Sequence, residues 1–172
     1  MTTVAETAQT MLLKEAANLH AIQKNAKAMM LKVIDRLEHY PEARARLQAH
    51  LGDKDAEMAN LERVLESEGK DASGVKDGLM SGMGSMTAML TAGLDDDIIK
   101  TSMLTFGLAQ YEIAAYEGMI LLAQRAGKAD VVPLIEDCLR RENAMAEWLH
   151  THMEPTLERY LELSGRELEA AH

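Results

Sequence analysis

The chain has little of what most small folds use to hold themselves together. Of its 172 residues one is cysteine, one is phenylalanine, one is tryptophan and three are proline. A single cysteine, Cys138, excludes an internal disulfide and fits a reducing compartment. Its apolar neighbours mark it as a small buried hydrophobe rather than a reactive thiol. Aromatics make up 3% of the chain, too few for a β-sandwich core. Ala, Leu and Met must fill the interior, and these residues favour close-packed helices. No run reaches the roughly 18 apolar residues of a membrane span. The N-terminus lacks the basic start and apolar stretch of a secretory signal. A cytoplasmic protein without membrane association is therefore expected.

Basic residues are also in short supply. Eighteen Lys and Arg stand against 28 Asp and Glu, a net charge of −10. Nucleic acid is not an expected partner, because phosphate neutralisation needs clustered basic side chains. Several catalytic signatures are missing too. There is no G-x-S-x-G, no phosphate-cradling loop, no Rossmann glycine set and no C-x-x-C, so no catalytic residue is assigned. Whether the chain is an enzyme stays open on this basis.

What remains is helical periodicity. Apolar residues from Leu12 to Leu37 recur near every 3.6 positions and predict helix 1 over about Thr3–Glu38. Tyr40-Pro41 ends it, and Pro41 suits the first turn of helix 2. That helix should run to Glu68, its buried stripe marked by Leu47, Leu51, Met58, Leu61 and Leu65. Residues 72–94 hold five glycines and a methionine at 80, 83, 86 and 89. They predict a short crossover helix lying on the bundle, with Met as adaptable filler. A Met stripe also suits a soft metal such as Cu(I), or haem, but only composition supports that. Asp95, Asp96 and Asp97 mark the start of helix 3, which should reach Ala126 with Gly127 as its cap. Helix 4 begins near Ala129, and Pro155 should kink or end it. The single domain then comprises a core over about 3–154 and a helical tail over 156–172. The fold class is all-α, a ferritin-like four-helix bundle with one crossover between helices 2 and 3.

Ionisable residues on the buried faces are the natural site candidates, since a buried charge needs a partner. The helical period selects His20, Asp55, Glu112 and Glu142, one per helix. Carboxylates and imidazole converging in a bundle core are the ligand types of iron and manganese sites. Each could equally be a hydrogen-bonded core His or a half-exposed, paired acid. Tyr111 and Tyr116 flank Glu112. A phenol there would hydrogen-bond a carboxylate ligand from behind, or pack with its hydroxyl at the surface.

The run Gln110-Tyr111-Glu112-Ile113-Ala114-Ala115-Tyr116, with Leu121-Leu122-Ala123 and Gly127, resembles the third helix of bacterial YciE/YciF-type short ferritin-like proteins. The resemblance continues through Leu134–Leu139 and Glu142. It is weaker at Leu47–Leu51, at Glu62–Ser67 and at Gly78-Leu79. It covers roughly residues 10–150 and is best over 106–149. It implies a ferritin-like bundle, commonly a homodimer, associated with stress responses and carrying a di-metal site of carboxylate and His ligands. Glu112 and Glu142 match two of the family's Glu ligands. His20 stands where the family has a Glu. In place of a Glu-x-x-His pair the chain has Gly52-Asp53-Lys54-Asp55, with Asp53 standing in for the Glu and Asp55 for the His. Met145 follows Glu142 by three and is a poor ligand for a hard ion. Two expectations follow: an iron or manganese site built from Glu112, Glu142, His20, Asp55 and Asp53, or a metal-free scaffold that works through its surface and a protein partner.

Overall fold

The computed structural model describes residues 2–67 and 98–170. They form four helices: α1 (Val4–Asp35), α2 (Pro41–Glu66), α3 (Ile98–Arg125) and α4 (Val132–Ala170). Among the described residues there is no strand.

Local chemistry sets the helix ends. Thr3 caps α1 in a capping box: the Glu6 N–H donates to Thr3 Oγ1 (3.2 Å) and the Thr3 N–H donates to the Glu6 carboxylate (2.7 Å). Pro41 begins α2, where its missing N–H leaves nothing unpaired. Gly127 lies after α3 with φ +72°, and the Lys128 N–H closes back on the Ala123 carbonyl at 2.8 Å. That left-handed turn is cheap only for glycine, and it reverses the chain into α4.

The helix directions follow from which ends pack together. One core cluster joins Leu12, Ala16 and Leu19 of α1 to Leu61 and Leu65 of α2, Tyr116 and Met119 of α3, and Ile135 and Cys138 of α4. A second joins Met30 and Ile34 of α1, Leu47 of α2, and Met145 and Leu149 of α4, with Phe106 of α3 against it. The late part of α2 thus lies with the late part of α3, so the two helices run in the same direction. Glu66 and Ile98 lie at opposite ends of the bundle. The expected crossover over 72–94, its methionines and the Asp95–Asp97 cap lie outside the described residues.

Pro155 neither ends nor breaks α4. The helix continues through it to Ala170. Pro155 is exposed, and so is Thr151, whose carbonyl loses its N–H partner. A freed carbonyl on the outer face can turn to water, which makes the interruption tolerable. Hydroxyls tie the helix on both sides: Thr151 Oγ1 donates to the Glu147 carbonyl (3.0 Å) and Thr156 Oγ1 to that of His152 (2.6 Å). The tail is a continuation of α4 rather than a separate stretch.

Between the two apolar clusters lies a polar layer. Gln23 of α1, His50, Lys54 and Glu57 of α2, Glu112 of α3 and Glu142 of α4 are all buried there.

A candidate metal centre with a lysine inside it

The polar layer is organised around Lys54. Its side chain is 2% exposed. Its ammonium donates to Glu112 Oε2 at 2.5 Å, to Glu142 Oε1, and to Glu57 Oε2 at 3.5 Å. Carboxylates from three helices thus meet on one cation. Each offers one oxygen within 4.8 Å of the others, and together they form a group able to hold a metal ion.

Each carboxylate turns one oxygen to the ammonium and leaves the other without a hydrogen-bond partner. Among the described residues the unpartnered buried side-chain atoms are Glu57 Oε1, Glu112 Oε1, Glu142 Oε2 and Gln23 Oε1. Buried acceptors are normally satisfied, so four in one layer call for an explanation. All four are acceptors, so carboxyl protons, a cation or an ordered water would satisfy them.

The electrostatics agree. Burial pushes Glu112 up to about 8, against the pull of Lys54 and with a push from Glu142. Burial likewise raises Glu57 and Glu142 to about 7. Burial disfavours the charged Lys54, yet the three carboxylates hold its proton more tightly than in an ordinary lysine. His50 moves the other way, down to about 3, because burial and the neighbouring ammonium both oppose a second positive charge. It is a neutral imidazole at physiological pH. Its Nδ1 faces Asp53 Oδ2 at 3.3 Å and its Nε2 faces Glu142 Oε1 at 3.6 Å. A carboxylate accepting from Nδ1–H fixes the tautomer and leaves Nε2 unprotonated, with its lone pair toward the centre.

Behind Glu57 stand two more groups. Gln23 Nε2 donates to Glu57 Oε2 (2.7 Å) and to the Tyr116 hydroxyl (2.9 Å), and Tyr116 donates to Glu57 Oε2 at 3.3 Å. A cavity of about 40 Å³ opens beside the layer. Ala26, Met30, Leu47 and Leu108 line its apolar side, and it ends on His50, Lys54, Glu112 and Glu142.

The residues singled out from the sequence separate into two groups. Glu112 and Glu142 are fully buried and come together. Tyr116 is buried with its hydroxyl in the network, whereas Tyr111 is 43% exposed. His20 lies at the bundle edge, bonded to Glu62 at 2.9 Å. Asp55 lies on the outer side of α2, paired with Lys27. Neither reaches the polar layer. Asp53 sits one step behind it, accepting from Arg141 Nη1 at 2.9 Å and facing His50. The α1 position in the layer is Gln23, four residues after Leu19, rather than His20. On α2 the buried face carries His50, Lys54 and Glu57, none of which was singled out from the sequence. Cys138 is buried, and burial raises its thiol to about 12, which leaves it an unreactive part of the packing.

A solved structure of a protein from Xanthomonas campestris pv. campestris is similar to this chain, with 27% identity and a TM-score of 0.76. The match covers 92% of this chain and 99% of the Xanthomonas protein. A family model described as Domain of unknown function (DUF892) matches residues 7–162. With almost the whole bundle inside that match, including every residue of the polar layer, the chain belongs to the DUF892 family.

Proposed function

We propose that the protein binds a divalent metal ion, iron or manganese, in the centre of its bundle, with Glu57, Glu112 and Glu142 as ligands and the neutral His50 beside them. The observation that carries this reading is the set of unpartnered carboxylate oxygens. Three carboxylates and one ammonium leave the layer two positive charges short. One divalent ion supplies both charges and gives the free oxygens the electron-pair acceptor they lack. When bound, such an ion supplies Lewis-acid and one-electron redox chemistry. The chain's own residues would hold and enclose it. Lys54 neutralises part of the carboxylate charge, Asp53 orients His50, and Gln23 and Tyr116 fix Glu57. The apolar mouth of the cavity admits small uncharged molecules more readily than ions. This reading is compatible with a YciE/YciF-type stress role and with a homodimer, which belong to the proposal.

A second reading is favoured by the ammonium itself. Two carboxyl protons would balance the layer as well as one metal ion would. The raised pKa values of Glu57, Glu112 and Glu142 make those protons available near neutrality. The bundle would then be a metal-free scaffold acting through its surface.

Elemental analysis separates the two. Untagged protein is loaded with Fe(II) or Mn(II), desalted and compared with Glu112→Ala and Glu142→Ala. Metal retained by the native chain and lost from both variants supports the first reading. A native chain that retains none supports the scaffold.

A further inference from the structure

We propose that the Lys54 ammonium is a resident second cation of this centre, so that the site takes one divalent ion and not a pair. This rests on the reading of Glu57, Glu112 and Glu142 as ligands. Three observations carry it.

The first is position. The ammonium contacts carboxylates from α2, α3 and α4 at once. It does the work a bridging metal ion would do, joining anionic groups of separate helices at one point. The oxygens it engages are one from each carboxylate, and the oxygens left over are the other one from each. The ammonium thus takes one oxygen of every carboxylate and leaves one of each for another partner.

The second is confinement. Lys54 is nearly fully buried, in the middle of α2, with His50 one turn before it and Glu57 almost one turn after. A surface lysine could swing away from an incoming ion. This one is held by three charged partners in the bundle interior, so it stays when the ion binds.

The third is charge. Three carboxylates balance one ammonium and one divalent ion. A second divalent ion would leave an excess of two positive charges in a buried layer. No further carboxylate lies within the layer among the described residues. Asp53 faces it but is already engaged by Arg141.

Removing the lysine's charge should therefore open a second metal position. The test compares the native chain with Lys54→Met and Lys54→Gln, titrated with Mn(II). Elemental analysis after desalting gives the ions per chain. Electron paramagnetic resonance distinguishes an isolated Mn(II) from an exchange-coupled pair, and circular dichroism checks the fold. Expected are one uncoupled ion per native chain and two coupled ions in the variants. A native chain holding a coupled pair overturns the inference while leaving the metal-binding reading intact. Variants that stay at one ion with the native affinity also overturn it. If the native chain holds none and the variants hold one or two, the metal-binding reading fails and the inference of a one-ion native site fails with it. If none of the proteins holds metal, both fail. Should the variants not fold, the native spectrum alone decides between one ion and a coupled pair.

Discussion

Lys54 Nζ lies 2.5 Å from Glu112 Oε2, and both side chains are almost entirely shielded from solvent. An ion pair this deep contributes little net stability, because each charge gives up its hydration to enter. Removing one partner is expensive, about 3–5 kcal/mol, because the other is left uncompensated. In the metal-free chain Lys54→Met should therefore lose about that much at pH 8. At pH 5, where the carboxyls take up protons, it should lose less than half as much. Urea unfolding at the two pH values measures this. Equal losses at both would trace the cost to packing and not to charge.

The carboxyl groups make the metal-free protein sensitive to alkali. Glu57, Glu112 and Glu142 are raised from an ordinary 4.5 to about 7, 8 and 7 by burial, against the pull of Lys54. The folded state therefore binds more protons than the unfolded state between about pH 4.5 and 8. Their contribution is full below pH 4.5 and is lost as pH rises through the folded values. His50 does not oppose this above pH 6.5, since it is neutral in both states there. The melting temperature of metal-free protein should fall between pH 6.5 and 9, by about 2–4 °C for each kcal/mol lost. Glu112→Gln, which needs no proton, should flatten the curve. A native curve that is level over this range would remove the case for protonated carboxyls.

The same protons must leave when a metal enters. Ligation needs carboxylates, so loading at pH 6.5 should release between about two and three protons per ion, and at pH 8.5 well under one. Calorimetric titration with Mn(II) in two buffers of different ionisation enthalpy gives the number directly. Release that does not change with pH would place the metal outside this layer.

Much of the bundle was legible because its periodicity is strong. Leu12 to Ile34, Cys138-Glu142-Met145-Leu149 and the Gly127 cap are as the sequence implies, whereas α1 ends at Asp35 and leaves Leu37 buried just beyond it. Glu112 and Glu142 were legible because each is the lone charge on an otherwise apolar helix face. The α2 face was not, because two of its turns are polar. Among the buried residues, which include Asn60 and the expected Leu65, Leu47, His50, Lys54, Glu57, Leu61 and Val64 keep an unbroken spacing of three and four. Leu51 and Met58 carried the expected stripe instead, and both are only half-buried. That shift brought Asp55 inward on paper and hid Glu57. On α1 the same spacing runs Leu12, Ala16, Leu19, Gln23, Ala26 and Met30, and it passes over His20. Extending the spacing from the apolar anchors through the polar residues would have found both faces. Lys54 is harder to foresee, since a lysine enters a core only when charges from other helices meet it.

The contrast between Asp53 and the outer candidates gives the last expectation. Asp53 is held by Arg141 at 2.9 Å and turns its other oxygen to His50 Nδ1. Losing it frees the ring to rotate and removes the group that fixes its tautomer. Changes of this kind typically weaken metal binding about 10–100-fold, and Asp53→Ala should fall in that range. His20→Ala and Asp55→Ala break only edge pairs, with Glu62 and Lys27. They should leave metal affinity within about twofold of native and stability within about 1 kcal/mol. Competition against a chelator of known affinity ranks all three. If His20→Ala or Asp55→Ala weakens binding as much as Asp53→Ala does, the ion sits at the bundle edge rather than beside Lys54.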